Sequence, residues 1–260
     1  MRIEDLDPQR SRPEFERGQL DDLRALGLDW DETPVRQSER MQLYEEALAR
    51  LESQGRLYPC FCTRAEIREA ASAPHGELPE GSYPGTCRTL STAECEHRRA
   101  AGRPFALRVR AEAQQVEFDD QLRGRCRAVV DDFVVRRSDG VPAYQLAVVV
   151  DDAAQGVGEV VRGDDLLEST PRQILLARLL GLRVPRYAHV PLVFGADGTR
   201  LAKRSRPPAL ADRTEPPAAT LALLAHTLGL ALERDRVERP GELLAQFDPR
   251  RLPREPSVIE

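Results

Sequence analysis

Lysine is almost absent from this chain of 260 residues, because only one of its 38 lysine and arginine residues, Lys203, is a lysine. It lies in the segment Arg200-Leu201-Ala202-Lys203-Arg204-Ser205. A composition that otherwise uses arginine favours a special task for this position, since a compact, flexible ammonium suits a moving phosphate contact better than a planar guanidinium does. A chance position is the alternative, because a single lysine must fall somewhere.

The sequence also lacks the features of secreted and membrane proteins. No run reaches the roughly 20 apolar residues of a spanning helix, and the start Met1-Arg2-Ile3-Glu4-Asp5 contains no secretory signal. Five unevenly spread cysteines suit metal or thiol chemistry in a reducing compartment better than a disulfide framework. We therefore expect a cytoplasmic protein.

An excess of basic charge is missing as well. The formal net charge of −5 argues against a uniformly basic nucleic-acid binder, although the arginines could still gather on one face. With 41% hydrophobic residues, the chain can bury a sizeable core. We expect one large domain, or one domain with an inserted module.

Hydrophobic periodicity predicts helices over 12–26 and 38–54, the second ending at Gly55. A strand is predicted over 105–110, and a late helix over 218–228. Short strand-like pieces alternate with helices, which is typical of an α/β layer fold.

Two further elements are predicted in the second half of the chain. Residues 133–137 and 144–150 flank the turn Ser138-Asp139-Gly140 like the strands of a hairpin, and the apolar run 146–150 predicts that the second strand is buried. Thr170, followed by Pro171 and a reaching Gln173, predicts the N-cap of a helix that ends at Gly181.

The stretch from 58 to 102 differs in composition, because cysteines appear and proline and glycine become more frequent. It is predicted to be a small inserted module. Capping-box patterns begin at Thr63 and Ser91. Between them, the segment 71–85 is too rich in proline and glycine to be regular.

The sharpest local pattern in this module is Cys60-x-Cys62 followed by Tyr83-x-x-x-Cys87. Three thiolates and one further ligand would complete a tetrahedral zinc site, and zinc would stabilise a module with little apolar content. His75 could replace Tyr83 as the fourth ligand. The alternative is that the cysteines are small buried residues of a strand.

Other polar residues are uninformative when taken singly. Glu4 lies in an acidic segment where a strand would end, and carboxylates at the end of a parallel strand commonly face a ligand crevice. An acidic loop, a core tyrosine at Tyr144, a surface arginine at Arg162 and a strand-end carboxylate at Asp151 are the simpler interpretations.

The combination of these segments is far more specific than each alone. Arg-Ile-Glu-Asp-Leu-Asp, Cys-x-Cys with Tyr-x-x-x-Cys, Ala-Tyr-Gln-Leu-Ala, Val161-Arg162-Gly163 and Arg-Leu-Ala-Lys occur in this order. Over almost the whole chain, this combination closely resembles the glutamyl-Q tRNA(Asp) synthetases, relatives of the catalytic half of glutamyl-tRNA synthetase.

The resemblance implies an enzyme that activates L-glutamate with ATP and passes the glutamyl group to queuosine at the wobble position of tRNA(Asp). It implies that Glu4 holds the amino group of glutamate, that Arg162 takes a carboxylate, and that Tyr144 hydrogen-bonds the amino acid. Lys203 is implied to contact the ATP phosphates, in a KMSKS-type loop where Ala202 replaces the usual serine and Arg200 the usual first lysine.

The cofactors implied by the resemblance are one structural zinc ion, held by Cys60, Cys62, Tyr83 and Cys87, and magnesium with ATP. The implied fold is a class I aminoacyl-tRNA synthetase Rossmann-like parallel sheet with an inserted zinc module. The expected segments are a first catalytic part over 1–57, the zinc module over 58–102, the remaining catalytic part over 103–215 and a short helical tail over 216–260.

The family also has a first strand and a Pro-Ser-x-Thr-Gly-x-Leu-His-x-Gly segment that binds ATP, and nothing like them occurs in this sequence. We therefore expect a sheet that lacks its first strand, from a chain whose start is assigned late. The alternatives are a truncated glutamyl-tRNA synthetase that charges the 3′ end of tRNA(Glu), and a silent zinc-containing remnant that binds tRNA. A monomer that binds tRNA(Asp) and no membrane is expected.

Overall fold

The structure is a computed structural model that describes residues 1–9, 11–71, 82–196, 198, 210, 214–230 and 237–259. Seven α-helices lie within these residues and are named α1 to α7 in chain order: Pro13–Ala25, Met41–Ser53, Arg64–Ala71, Thr92–Ala100, Tyr144–Ala154, Thr170–Leu179 and Pro217–Thr227. The strands of the same residues are β1 to β11: Arg2–Ile3, Val35–Arg36, Leu57–Cys60, Ala106–Val109, Gln115–Asp120, Gly124–Val129, Val134–Arg136, Glu159–Gly163, Arg186–Val190, Val193–Gly195 and Ser257–Ile259.

The described strands pair in both parallel and antiparallel fashion. Strand β1 is parallel to β2, and β10 is parallel to β11. Strands β3, β4 and β7 form an antiparallel sheet. A four-stranded sheet has the order β6-β5-β9-β8, in which β5 is antiparallel to β6 and parallel to β9. The α/β class with parallel pairing is therefore confirmed.

The chain divides into two compact units. Unit 1 comprises Met1–Glu39, Arg162–Asp165 and His189–Glu260, and unit 2 comprises Arg40–Val161 and Leu166–Ala188. Strands β8 and β9 each contribute their last two residues to unit 1 and the preceding residues to unit 2.

Helix α2 shows why the predicted helices form. Tyr44 and Leu51 are seven residues apart, which is two helical turns, and both are fully buried. The helix ends where Gly55 takes a φ of +66°, and the amide of Arg56 donates to the carbonyl of Leu51 at 2.9 Å. This is the glycine-terminated helix end expected from the sequence.

The prediction of a strand over 144–150 is wrong, because these residues begin helix α5. The turn at Ser138-Asp139-Gly140 does form, and it brings Pro142 beside Arg136 in a single bridge before the helix starts. Residues 146–151 are all buried. A helix that is buried on every side has the same uninterrupted apolar run as a buried strand, so periodicity alone could not separate them.

The start of α6 also differs from the prediction, because Thr170 is the first helical residue and Ser169 is the N-cap, without a side-chain cap. The chain already turns in a 3-10 helix over Asp164–Ser169, and the Thr170 hydroxyl donates to the carbonyl of Leu166 at 3.4 Å. Gln173 donates instead to Gln145 of α5, at 2.9 Å. The helix thus gains a tertiary contact in place of a cap.

Both predicted capping boxes are confirmed. Ser91 accepts from the amide of Glu94 at 3.2 Å, and the Glu94 carboxylate accepts from the amide of Ser91 at 2.8 Å. Thr63 and Glu66 exchange the same two bonds at 3.2 and 2.6 Å. None of the helices in the described part of the chain is long and apolar enough to cross a membrane.

Candidate metal centre and substrate-binding residues

Three cysteines of unit 2 converge in one cluster. Cys60 is the last residue of β3, which the antiparallel partner β4 holds in register, and Cys62 follows two residues later. Cys87 lies in the turn that precedes α4. The Sγ atoms of Cys60, Cys62 and Cys87 all lie within 4.8 Å of one another, and those of Cys62 and Cys87 are 3.5 Å apart.

The hydroxyl of Tyr83 lies at the same cluster. It is 3.4 Å from the Sγ of Cys60 and 3.8 Å from the Sγ of Cys62, and it accepts from the backbone amide of Cys87 at 2.8 Å. Tyr83 itself is buried, at 2% exposure. His75, the other candidate for a fourth ligand, lies outside the described residues.

These separations fit a zinc ion. Bonds of about 2.3 Å to sulfur and about 2.1 Å to oxygen, at tetrahedral angles, imply sulfur–sulfur distances of about 3.8 Å and sulfur–oxygen distances of about 3.6 Å. The sulfur–sulfur distance of 3.5 Å and the sulfur–oxygen distances of 3.4 and 3.8 Å agree with these values. The three thiols are ligands that zinc prefers, and the phenol oxygen of Tyr83 would supply the fourth position of a tetrahedral site.

The electrostatics of the cluster act in opposite directions on the pKa values of Cys60 and Cys62. Burial alone would raise the pKa of Cys60, but hydrogen bonds with Tyr83 and Arg108 and the charge on Arg108 lower it below its ordinary value. Burial, followed by the hydrogen bond with Cys87 and the charge on Cys60, raises the pKa of Cys62 to about 12. Burial and the hydrogen bond with Cys60 likewise raise the pKa of Tyr83. A divalent cation would stabilise all the deprotonated ligands at once.

Two neighbouring carboxylates support the loop that carries Tyr83. One oxygen of Asp131 accepts from the amide of Tyr83 at 3.1 Å, and the other accepts from Arg172 of α6 at 2.7 Å. Asp132 is fully buried and accepts from three donors. These are the Tyr58 hydroxyl at 2.6 Å, the Arg88 Nε at 2.6 Å and the Ala111 amide at 2.8 Å.

Glu4 follows β1 in unit 1 and lines a cavity of about 520 Å³. Its carboxylate accepts from Arg2 at 3.3 Å and is half exposed. The neighbouring Asp5 is held by the amide and hydroxyl of Ser38 at 2.9 and 2.6 Å. The volume is in the range of small-molecule sites, and the end of a parallel strand is where sequence reasoning placed a ligand crevice.

Arg162 lies near the end of β8 in unit 1. Its Nε donates to the Nε2 of His189, on the neighbouring strand β9, at 3.0 Å. His189 is fully buried. Arg162 is therefore held by a buried partner and is not the loose surface arginine of the simpler interpretation.

Tyr144 is the first residue of α5 in unit 2 and is 41% exposed, so it is not the core tyrosine of the simpler interpretation. Asp151 of the same helix is fully buried, where its two oxygens accept from Arg40 at 2.7 Å and Tyr44 at 2.8 Å. It is a structural carboxylate. Lys203 lies outside the described residues.

Sequence reasoning missed His189, Arg108 and the pair Asp131 and Asp132. Arg108 places its guanidinium 3.7 Å from the centre of the Tyr83 ring. The two adjacent aspartates after an apolar stretch were a possible signal for buried carboxylates. For His189 no local pattern existed, because its partner is 27 residues away.

The family model of the catalytic domain of class I tRNA synthetases (E and Q) matches residues 1–237. The chain is 59% identical to the glutamyl-Q tRNA(Asp) synthetase of Nocardia farcinica, covering 100% of this chain and 81% of that relative. It is 49% identical to the glutamyl-Q tRNA(Asp) synthetase of Symbiobacterium thermophilum, covering 100% and 84%. A glutamate–tRNA ligase of Coprothermobacter proteolyticus is 39% identical, covering 99% of this chain and 57% of its own length.

Among solved structures, the crystal structure of a glutamate tRNA ligase from Elizabethkingia meningosepticum in complex with its amino acid resembles this chain with a TM-score of 0.79. The match covers 100% of this chain and 60% of that one, at 22% identity. This likeness shows the fold, which is that of a class I aminoacyl-tRNA synthetase.

Proposed function

Because this chain belongs to the family of class I tRNA synthetases for glutamate and glutamine, we propose that it activates glutamate with ATP and transfers the glutamyl group to queuosine at the wobble position of tRNA(Asp). The observation that carries this proposal is 59% identity over the whole chain with a relative named glutamyl-Q tRNA(Asp) synthetase. The protein is proposed to act as a monomer.

Recognition of glutamate is assigned to residues of complementary charge. The guanidinium of Arg162 binds a carboxylate, because its planar fork matches the two oxygens. Glu4 holds the ammonium group, and its place beside a cavity of about 520 Å³ supports this role. Tyr144, whose side chain is exposed at the start of α5, hydrogen-bonds the amino acid.

Activation of glutamate is assigned to electrostatic stabilisation. Lys203 contacts the phosphates of ATP and offsets the charge that develops as pyrophosphate leaves. Magnesium bound with ATP neutralises phosphate charge. This role would explain why the chain keeps a lysine at this one position and uses arginine elsewhere.

The cysteine cluster is proposed to hold one structural zinc ion through Cys60, Cys62, Tyr83 and Cys87. The agreement of one sulfur–sulfur distance and two sulfur–oxygen distances with tetrahedral zinc geometry supports this assignment. The ion would supply folding energy to the module over 58–102. In the proposed domain organisation, this module separates the catalytic parts over 1–57 and 103–215, and a short tail follows over 216–260.

A second candidate function is the charging of the 3′ end of tRNA(Glu). It is favoured by the relative named glutamate–tRNA ligase, which is 39% identical over 99% of this chain. The site of attachment on the tRNA separates the two functions.

The first experiment measures glutamate-dependent ATP–pyrophosphate exchange by the full chain with magnesium. We expect exchange that Lys203→Ala abolishes and Lys203→Arg reduces, because arginine keeps the charge but not the compact shape. Absence of exchange in folded protein that still binds tRNA would instead identify a silent tRNA-binding remnant.

The second experiment offers labelled glutamate and ATP with tRNA(Glu) and with three forms of tRNA(Asp): with queuosine, without queuosine, and with queuosine but lacking the 3′-terminal adenosine. The proposal expects labelling of the first and third forms only. Labelling that needs the terminal adenosine, or labelling of tRNA(Glu) in its place, would favour the second candidate function.

A further inference from the structure

His189 is a fully buried histidine that contacts a proposed substrate-binding side chain. It lies on β9 beside β8, and its Nε2 receives the Nε hydrogen of Arg162 at 3.0 Å. Both residues belong to unit 1. Such a contact between two basic side chains requires one of them to act as the acceptor.

The chemistry of the two side chains decides which nitrogen carries a proton. A guanidinium has only donors and stays charged. An imidazolium also has only donors, so His189 must be neutral, with its proton on Nδ1 and a lone pair on Nε2. The bond to Nε lies in the guanidinium plane and therefore fixes the direction in which the rest of the fork points.

The backbone next to Arg162 is held as well. A Cβ added at Gly163 would lie 2.8 Å from an oxygen of Asp165 and 3.2 Å from a methyl carbon of Leu192. The chain at this point is thus packed closely on residues of the same unit. Backbone packing and the His189 bond together hold Arg162 at two points.

We propose that neutral His189 is a positioning residue that orients the Arg162 fork for the carboxylate of the substrate. This inference rests on the proposed role of Arg162 in glutamate binding. A positioned fork can form two parallel hydrogen bonds with a carboxylate. A fork that rotates freely before binding must first be ordered, and the lost conformational entropy weakens the binding of the carboxylate.

A spectroscopic test reads the histidine directly. The chain has 4 histidines, so the imidazole nitrogens can be resolved by ¹⁵N correlation spectra of histidine-labelled protein, with His189→Gln to assign the signal. We expect His189 to be neutral with its proton on Nδ1 at neutral pH. A proton on Nε2, or an imidazolium, would overturn the inference without any substrate present.

A binding test compares two variants of similar polarity by calorimetric titration with glutamate. His189→Gln keeps an amide oxygen within reach of Arg162, whereas His189→Asn is one methylene shorter. We expect His189→Asn to weaken glutamate binding by about tenfold or more, and His189→Gln to restore most of it. The exposed His226→Gln of α7 is the control and should bind as the wild type does.

The outcomes of the binding test separate the inference from the proposed function. If the wild-type chain binds no glutamate, the proposed role of Arg162 fails and the inference falls with it. If the wild type binds glutamate and folded His189→Asn binds equally well, only the inference is overturned. Circular dichroism establishes which variants are folded. If His189→Asn is unfolded, the ¹⁵N spectrum of the wild-type protein tests the inference instead, through the position of the proton on His189.

Discussion

The two units differ in where they keep their charges. Unit 2 buries carboxylates completely, and each of Asp132 and Asp151 is matched by an arginine and a tyrosine hydroxyl. In unit 1, the pair Arg2 and Glu4 keeps a half-exposed carboxylate beside a cavity. Buried, paired charges hold a fold, whereas solvated charges can exchange partners with a ligand.

The two units also differ in the size of the apolar side chains that they bury. Among the described residues, the buried apolar side chains of unit 1 are Ala218, Leu221, Ala222, Ala225 and Val237, which are mostly small. Unit 2 buries large side chains, including Tyr44, Leu146, Ile174 and Leu176. We therefore expect substitutions of the buried side chains of unit 2 to act mainly on stability, and changes of charge at Glu4 and Arg162 in unit 1 to act mainly on substrate binding.

Removal of a ligand of the cysteine cluster should have the largest effect. If the cluster holds the proposed zinc ion, Cys87→Ser should lose that ion and several kcal/mol of unfolding free energy, because binding of a structural metal supplies folding energy. Zinc content by mass spectrometry and thermal unfolding with and without chelator measure both quantities. Cys126→Ser, on β6 away from the cluster, is the control. Equal zinc content in the two variants would contradict the assignment of the cluster.

Asp132→Asn should be the next largest change. It leaves the half-buried Arg88 guanidinium without its fully buried carboxylate partner and replaces an acceptor of the Tyr58 hydroxyl, so a loss of about 3 kcal/mol in unfolding free energy is expected. Denaturant titration measures it. Asp139→Asn, in an exposed pair with Arg137, should cost little. A similar loss in both variants would remove the distinction between buried and exposed pairs.

Arg162→Lys should change binding more than stability. The variant keeps the positive charge but loses the planar fork, so the KM for glutamate should rise by about tenfold or more while the KM for ATP stays nearly constant. Pyrophosphate exchange at varied glutamate provides the measurement. Arg186→Lys, in an exposed pair with Glu159 on the neighbouring strand, is a matched control. An unchanged KM for glutamate would argue against the proposed role.

Loss of one helix cap should have the smallest effect. Ser91→Ala removes the acceptor for the Glu94 amide and should cost about 1 kcal/mol, and Ser91→Asp should keep most of it. The hydrogen bonds with Ser91 lower the pKa of Glu94. Because the pKa of Glu94 is lower in the folded state, its ionised carboxylate stabilises the fold at pH values above the ordinary pKa of glutamate. This stabilisation is lost as the pH falls through the lowered pKa of the folded state. Thermal unfolding at neutral and acidic pH measures both effects, and a cost that does not shrink on acidification would be the contrary result.

Local patterns succeeded where the interaction partners are close in sequence. The capping boxes at Ser91 and Thr63 join residues three apart, and the glycine at 55 ends α2 through bonds within one turn. The resemblance to the synthetase family rested on an ordered set of motifs, and the family model confirms it. Interactions of short range depend on few residues, so their patterns can be read directly.

The sequence by itself determined the two capping boxes, the end of α2 at Gly55, the cysteine spacing and the family. Only the tertiary structure decided that 144–150 is a helix, that Asp151 is structural and that His189 accepts from Arg162. An apolar run is compatible with a buried helix or a buried strand until its neighbours are known. The donors and acceptors of a buried side chain likewise come from distant segments, so they become defined only when the chain has folded.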